Sequence, residues 1–335
     1  MRLRSGIPIL IAITLVAVVI GWVGGSGAAA DVHQDSFVVR PLRWVSGGRW
    51  IGNAICYGPH RDGQRPGGTA PTAAEIREDL RLMLPHWKFL RIYGSSGFAE
   101  TLLTVIHDDG LDMKVMLGVW IAPNAVSSNR EEVDVAIRLA NAYPEIVLAV
   151  SVGNETQVSW SAHRSPPELL ANHVRRVRAG VVVPVTVADD FNFWNKPESR
   201  AVAAEIDFIT MHAHPMWNGM QLDDALSWLR AQTMAVQAMH RERPVVIGET
   251  GWATSVHDQG EQAELIKGRP GEVEQKQFHD AVRAWAQAER LAVFFFEAFD
   301  ENWKGGSHPA EVEKHWGLFR ADRVGKAAMG SESGQ

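Results

Sequence analysis

Alternation between two kinds of segment is the feature that most limits how this chain can fold. From residue 50 onward, short apolar runs rich in β-branched residues alternate with longer segments in which apolar residues recur at helical spacing. The eight apolar runs are GNAICYG from Gly52, KFLRIYG from Lys88, MKVMLGVW from Met113, VLAVSVGN from Val147, VVPVTVAD from Val182, DFITMHAH from Asp207, PVVIGE from Pro244 and LAVFFFEAF from Leu291. Strands that alternate with helices form a parallel sheet, and eight such units close into a barrel. The sequence therefore predicts an α/β protein with a (β/α)8 TIM barrel over residues 50–325.

Two of the intervening helices have recognisable starts. Residues 72–75 (TAAE) have the pattern of a capping box, and residues 165–167 (SPP) are typical of a first helical turn. Weaker helical patterns follow Trp194 and Gly305. We therefore expect helices between the strands, as a closed barrel requires.

The chain ends differ from the barrel in composition. Arg2 and Arg4 precede an apolar run over residues 7–23, and small residues then lead to the triplet AAA at 28–30. This order is typical of a secretory signal peptide, although the length of the run also fits an uncleaved membrane anchor. Either way we expect residues 1–30 to direct export to the periplasm or the exterior. Residues 31–49 are an N-terminal lead-in, and residues 326–335 are predicted to form a disordered tail.

Composition limits the partners of the chain. With 335 residues, of which 46% are hydrophobic, one large catalytic domain is expected, and we expect it to be monomeric. A net charge of -6 provides no basic surface for a phosphate backbone, so no nucleic-acid partner is predicted. Cys56 is the only cysteine, which excludes an intramolecular disulfide and a cysteine metal cluster. Its apolar setting indicates a buried structural thiol.

Polar side chains are concentrated at the predicted carboxyl ends of the strands. In barrels of this class the chemistry takes place at that end, while residues within the strands pack the core. The residues at these positions are Tyr57, Arg91, Tyr93, Trp120, Asn154, Glu155, Asp189, Asp190, His212, His214, Glu249, Glu297 and Asp300. We therefore predict the functional site there.

Two glutamates at strand ends are candidates for acid/base and nucleophilic chemistry. Glu155 follows the fourth predicted strand and Glu249 follows the apolar part of the seventh. Retaining glycosidases use two carboxyl groups about 5 to 5.5 Å apart, one to protonate the leaving oxygen and one to attack the anomeric carbon. Opposed strand ends of a barrel can meet that separation. From position alone, either glutamate could instead cap a helix or form an ion pair.

A series of short motifs resembles a known family. The segments ICYGPHRDGQRP, LRIYG, KVMLGVWI, VSVGNE, VPVTVAD, GETGW and FFFEAFDENWK followed by HWGLF occur in this order over roughly residues 50–320. Together they resemble glycoside hydrolase family 17, the β-1,3-glucanases and β-1,3-glucanosyltransferases of a large clan, clan A, of retaining barrels. Any one motif alone is weak, but the combination is specific.

The resemblance implies roles for five residues. Glu155 in GNE matches the acid/base, and Asn154 matches the asparagine expected to contact the sugar 2-hydroxyl. Glu249 in GETGW matches the nucleophile. Glu301 and Lys304 in DENWK match a pair that resembles substrate-positioning residues in plant relatives. The departure lies at the sixth strand, where HAHPMW replaces a tyrosine-containing run, so the group that orients Glu249 is left open.

The two histidines of HAHPMW allow another interpretation. His212 and His214 could be ligands in a metal-dependent barrel hydrolase, although such a pair normally lies on the first strand. The preferred role for His214 is a hydrogen bond to substrate or to Glu249, with a wall histidine as the alternative, and both histidines are predicted to belong to the binding site. No metal is predicted.

Aromatic and charged residues near the strand ends indicate a saccharide cleft. The chain has 13 tryptophans, and indole faces stack on pyranose rings. Those at or just beyond strand ends are Trp120, Trp160, Trp194, Trp217, Trp252 and Trp303. Arg91 and Tyr93 could point to the mouth, where Arg91 would keep Glu249 ionised, or Arg91 could form a structural ion pair. Asp189 and Asp190 could contact substrate hydroxyls or cap loops, and Glu297 is a further candidate contact.

The sequence thus predicts a retaining enzyme that acts on β-glucan without a cofactor. The β-1,3 linkage comes from the resemblance alone, and hydrolysis and transfer to another sugar both remain open. A catalytically idle glucan-binding barrel is the alternative of another class, which would require one carboxylate to be missing or misplaced.

Overall fold

The computed structural model describes residues 37–330 and contains a closed barrel of eight parallel strands. A short antiparallel hairpin of β1 (Val45–Ser46) and β2 (Arg49–Trp50) precedes it. The barrel strands are β3 (Asn53–Cys56), β4 (Phe89–Arg91), β5 (Lys114–Val119), β6 (Val147–Asn154), β7 (Val185–Asp190), β8 (Phe208–His212), β9 (Val245–Thr250) and β10 (Val293–Phe295). β10 pairs with β3 and closes the ring. Each predicted apolar run contains one strand, so the predicted (β/α)8 fold is confirmed.

The helices lie between consecutive strands. They are α1 (Ala73–Met83), α2 (Ala99–Asp108), α3 (Val126–Ala142), α4 (Pro167–Gly180), α5 (Phe191–Trp194), α6 (Ser199–Ala203), α7 (Leu222–Met239), α8 (Gly260–Leu265) and α9 (Glu272–Glu289). The predicted capping box is present: the Thr72 hydroxyl accepts from the Glu75 N–H at 3.2 Å, and the Glu75 carboxylate accepts from the Thr72 N–H at 2.7 Å. The predicted start of α4 is also confirmed.

The weaker helix predictions are only partly correct. The segment after Trp194 contains no more than the short α6. The expected helix after Gly305 is wrong, because the described residues after β10 contain only the 3-10 turns Val312–Lys314 and Ala327–Met329. Gly306 and Pro309 interrupt helical structure there. The segment forms a loop that packs Trp316 against the mouth of the barrel.

The interior of the barrel is filled below the site. A cluster that includes Cys56, Phe89 and Phe294 occupies its lower half, and Trp44 packs on Phe89 at a ring distance of 5.6 Å. The predicted lead-in therefore contributes to the barrel core. Cys56 is fully buried, and burial raises the pKa of its thiol to about 12. A neutral structural thiol is the result.

The predicted chain ends need one correction. Lys326 is buried and its ammonium group donates to Asp300 at 2.8 Å, so the ordered structure continues past the predicted boundary at 326. Residues 331–335 and the predicted export segment 1–30 lie outside the described residues. Within residues 37–330, no helix combines the length and apolar character needed to cross a membrane.

A buried ion pair connects the segment that follows the last strand to α1. The Asp79 carboxylate is fully buried and accepts two hydrogen bonds from the Arg323 guanidinium, at 2.9 and 3.0 Å. The Arg61 guanidinium and the Tyr57 hydroxyl also donate to it, at 3.0 and 3.1 Å. Loss of Arg323 would leave this buried charge with only the partly exposed Arg61 as a cationic partner.

We expect Arg323→Ala to lower the free energy of unfolding by about 3 kcal/mol, because removing one member of a buried ion pair leaves the other charge buried without its partner. Urea unfolding followed by circular dichroism would measure the loss. Arg320→Ala is the matched control, since Arg320 lies in the same turn but is exposed and pairs with Glu272 at 2.5 Å, and its loss should cost under about 1 kcal/mol. Equal losses would contradict the role assigned to Arg323.

Candidate active site

A cleft of about 1430 Å³ opens at the carboxyl end of the barrel strands. Glu155 and Glu249 both line it, and four of the six tryptophans predicted for a saccharide cleft are in its wall. These are Trp120, Trp160, Trp217 and Trp303. Trp120 and Trp160 are among the most exposed large apolar side chains of the described chain, at 38% and 58%.

Glu155 stands at a sharply twisted strand end. The backbone is left-handed at Gly153, with φ 77°, and again at Glu155, with φ 49°. The Glu155 N–H still donates to the Ala188 carbonyl of β7 at 2.9 Å, so the residue remains tied to the barrel. Its side chain is 28% exposed, which leaves the carboxyl group accessible from the cleft.

Glu249 lies in β9 and is more deeply set, with its side chain 8% exposed. Its Oε1 accepts from Arg91 Nη1 at 2.5 Å, and its Oε2 lies 3.3 Å from His214 Nε2. Burial acts to raise the pKa of Glu249, but the charges of His212 and Arg91 and the hydrogen bond of His214 hold it well below its usual range. The carboxylate is therefore ionised at neutral pH.

The two carboxyl groups are close together. One oxygen of Glu155 and one of Glu249 lie within 4.8 Å of each other. This spacing matches retaining glycosidases, in which the carboxyl groups are about 5 to 5.5 Å apart, and it is too short for inverting ones, at about 6.5 to 9.5 Å. The two groups also differ in setting, since one faces the cleft and the other is buried against a guanidinium.

His212 occupies the space between the two carboxyl groups and is fully buried. Its Nδ1 lies 2.9 Å from Glu155 Oε1, and its Nε2 lies 3.4 Å from Glu249 Oε1. The ring is absent from the cleft wall, so the structure places His212 behind the cleft and not at the predicted substrate-contact position. His214, two residues later, does line the cleft, and the predicted contact with Glu249 is present.

The same three residues test the metal alternative. Among the described residues, Glu155, His212 and Glu249 form a group whose donor atoms lie close enough to share an ion. However, the two ring nitrogens of His212 face different carboxylates, and the Arg91 cation lies 2.5 Å from Glu249. One imidazole nitrogen and two carboxylates do not converge on a common point. The donor geometry therefore fits a hydrogen-bonded pair better than a metal centre.

Arg91 lies behind the site and not in it. It is 1% exposed, and besides Glu249 it donates to the Asn154 side-chain oxygen at 2.6 Å. The predicted pairing of Arg91 with Glu249 is present, and the guanidinium does not line the cleft wall. Because Asn154 uses its oxygen for Arg91, its amide NH2 group is left to donate, and the residue lines the cleft.

Three other predicted contacts and Trp194 are structural. The Asp189 carboxylate is fully buried and caps a loop, accepting from the N–H groups of Gln157 and Asp190 at 2.8 and 2.9 Å. Burial raises its pKa to about 8. Trp252 and Trp194 donate their indole N–H to backbone carbonyls, at 2.9 and 3.2 Å. Glu297, also fully buried, accepts from Lys304 at 2.6 Å. All four side chains are buried.

The remaining predicted residues reach the cleft. Tyr57, Tyr93, Trp120, Trp217, Glu301 and Lys304 all line it. The Tyr57 hydroxyl is already engaged by Asp79, so only the ring is available there. Although burial acts to raise the pKa of Glu301, the Lys304 ammonium 2.8 Å away and hydrogen bonds from His60, Lys304 and Trp303 lower it to about 2. Lys304 thus joins Glu301 to the buried Glu297.

Glu313 and Trp316 are among the cleft residues that the sequence did not predict. Glu313 lines the cleft and accepts from the indole N–H of Trp217 at 3.2 Å, and burial raises its pKa. Trp316 also lines the cleft and packs on His214 at a ring distance of 5.2 Å. The HWGLF motif contains Trp316 and could have indicated it. Glu313 is in a long loop after the last strand, where no strand-end rule applies.

Comparison with known proteins agrees with this geometry. The model of the BtgE/BtgC glycoside hydrolase domain matches residues 54–317, a range that contains all of the barrel except the first residue of β3. The chain belongs to this family. Among its relatives, a glucan 1,3-β-glucosidase of Arthroderma benhamiae is 29% identical over 282 residues, covering 78% of this chain and 86% of the relative. A glucan 1,3-β-glucosidase of Schizosaccharomyces pombe is 27% identical, covering 77% and 81%.

Solved structures give the same result. A glycoside hydrolase family 17 β-1,3-glucanosyltransferase from Rhizomucor miehei is 25% identical, with a TM-score of 0.68, and covers 82% of this chain and 96% of its own. An endo-laminarinase from Formosa Hel1_33_131 has a TM-score of 0.74 at 24% identity, covers 84% and 87%, and supports the fold alone. The predicted resemblance of this BtgE/BtgC member to glycoside hydrolase family 17 is confirmed.

We expect Arg91→Met to raise the pKa of Glu249 by about 1 to 3, because an adjacent opposite charge lowers a carboxyl pKa by that amount. Carbon-13 NMR of labelled glutamate side chains would follow the titration. Arg61→Met is the matched control, because Arg61 pairs with Asp79 and Glu78 and is not in contact with the catalytic carboxylates. An unchanged Glu249 titration in the Arg91 variant would contradict the assigned ion pair.

Proposed function

We propose that this protein is a retaining enzyme that cleaves or rearranges β-1,3-glucan, with Glu155 as acid/base and Glu249 as nucleophile. The observation that carries the proposal is the pair of carboxyl groups within 4.8 Å, of which one is buried and ionised and the other is open to the cleft. A retaining reaction needs both groups at this distance and with these two characters.

The reaction proceeds by double displacement. The Glu249 Oε1 is held by Arg91, so the attacking atom is Oε2, which His214 orients from the cleft side. As Oε2 bonds to the anomeric carbon, the glycosidic bond breaks and Glu155 gives its proton to the leaving oxygen. Glu155 then takes a proton from the incoming hydroxyl, which attacks the same carbon and releases Glu249. Two inversions give net retention.

The substrate class follows from the cleft and the relatives. Four exposed or half-buried indoles and several hydroxyl-bonding groups suit pyranose rings, while no part of this mechanism requires a cofactor. The β-1,3 linkage is taken from relatives described as glucan 1,3-β-glucosidases and from a structural neighbour described as a β-1,3-glucanosyltransferase. We further propose that the chain is monomeric and that its first 30 residues direct its export, which would give it access to a glucan outside the cytoplasm.

Water and a second sugar can both serve as acceptor. Shorter products from a laminari-oligosaccharide would identify a hydrolase, and longer ones a transferase. Proton NMR of the first products should give the β-anomer. Bound but unchanged sugar would support an idle binding barrel, and α-configured first products would overturn the retaining mechanism.

Glu155→Gln and Glu249→Gln should each lower turnover of laminari-oligosaccharides by at least about 10³-fold, because each amide keeps the shape but loses the chemistry. Calorimetric binding should persist in both variants. Glu311→Gln is a matched control, since this glutamate lies outside the cleft wall and should leave turnover within about twofold. Retained turnover in either catalytic variant would refute the proposal.

Two tryptophans, Trp217 and Trp252, are expected to affect different properties: oligosaccharide binding and the stability of the fold. Trp217 lines the cleft, whereas Trp252 is 1% exposed and packs on Phe278. We expect Trp217→Ala to weaken oligosaccharide binding about tenfold with little change in the melting temperature. Trp252→Ala should destabilise the fold by about 3 kcal/mol and leave the dissociation constant of the folded protein unchanged. The reverse pattern would contradict these assignments.

A further inference from the structure

We propose that His212 is the positioning residue of the catalytic pair: one buried imidazole orients Glu155 through Nδ1 and spaces it from Glu249 through Nε2. The inference rests on the proposed roles of the two glutamates. Its basis is the contact of the same ring with both carboxyl groups, at 2.9 Å to Glu155 Oε1 and 3.4 Å to Glu249 Oε1. His212 and His214 are the two residues of the HAHPMW segment that contact Glu249.

The strand register fixes the place of the ring. His212 ends β8, opposite Asp190 on β7 and Glu249 on β9, and Glu155 follows β6, one strand further away. The imidazole therefore reaches across the inner edge of the barrel from β8, one of the two strands that lie between the two glutamates. Asp190 is the other acidic side chain whose charge acts at the ring.

The packing around the ring leaves it little freedom. His212 is fully buried, and Gly248 on β9 provides the space beside it. A Cβ at position 248 would lie 3.2 Å from His212 Cδ2 and 2.2 Å from the Thr210 methyl group. The close approach of Gly248 and the complete burial of the ring keep the imidazole between the two carboxyl groups. Two carboxylates at this distance repel each other when both are charged, so a side chain between them is needed to keep their separation fixed.

The Nδ1 contact suits both halves of the reaction. The Nδ1–H group donates to Glu155 Oε1 at 2.9 Å. That oxygen can accept both when Glu155 carries its own proton on Oε2 and when it has given that proton away. The bond therefore keeps Oε2 as the oxygen that delivers and recovers the proton. The Nε2 atom has no hydrogen-bond partner, and its 3.4 Å contact with Glu249 Oε1 separates the two carboxyl groups.

Leaving-group dependence tests the proposal, because an activated aryl leaving group departs without a proton. We expect His212→Leu to lower kcat/KM for a laminari-oligosaccharide by about 10²-fold, and for the matching dinitrophenyl laminari-oligosaccharide by less than about 10-fold. A merely structural role would lower both values equally. Equal losses on the two substrates, or no loss on either, would overturn the proposal.

Amide variants give a second test, which remains informative if the leucine variant fails to fold. The side-chain NH2 of asparagine can replace the Nδ1 donor, whereas that of glutamine reaches the Nε2 position. His212→Asn should retain kcat/KM on the oligosaccharide within about tenfold of the parent, and His212→Gln should lose about 10²-fold. If His212→Gln equals or exceeds His212→Asn, the assigned contact with Glu155 is wrong.

Two controls separate the possible failures. Thr210→Val lies on the same strand and removes a buried hydrogen bond to Thr186 of 3.0 Å, so any loss it causes should be the same on both substrates. Glu155→Ala tests the acid/base role without reference to His212: it should show strong leaving-group dependence and be accelerated by azide. If Glu155→Ala lacks both effects, the proposed function fails. If it shows them and the His212 variants show no selectivity, only the inference about His212 fails.

Discussion

The buried ion pair between Arg91 and Glu249 is the interaction on which the site depends. A guanidinium at 1% exposure and a carboxylate at 8% side-chain exposure would each be costly alone, since removal of a charge from water is repaid only by a close partner and further hydrogen bonds. Arg91 meets this requirement by binding Glu249 with one nitrogen and Asn154 with another. The result is a carboxylate that stays charged in the wall of the cleft.

This pair also connects the site to the closure of the barrel. Arg91 ends β4 and Glu249 lies in β9, which are not neighbours in the sheet. Their side chains can meet only because the ring of strands is closed and its upper interior is narrow. The apolar side chains inside the barrel, together with Trp44 packed on Phe89, hold these strands in place. Precise placement of the carboxylates is therefore a consequence of core packing as much as of local sequence.

Residues around the cleft divide into those that face the sugar site and those that support it from behind. His214, Glu301 and Trp217 face the cleft, whereas His212 and Glu297 are hidden behind it. The hidden groups hold the charges and orientations of the exposed ones. The end of β8 explains part of this pattern. Residues two apart in a strand lie on the same face, but β8 ends at His212 and the chain turns there. The rings of His212 and His214 therefore lie at different depths.

The sequence alone determined the eight strands and the presence of Glu155 and Glu249 at strand ends that open into one cleft. These follow from local patterns, because strand runs and strand ends are visible in the order of residues. It did not determine which strand-end residues reach the cleft. Asp189 and Trp252 follow the same rule as Glu155, but neighbouring loops fold over them and supply their hydrogen-bond partners. The sequence also did not determine that His212 lies between two carboxyl groups or that a loop places Glu313 in the cleft. Both depend on burial and on distances between remote segments, which are set only when the barrel closes.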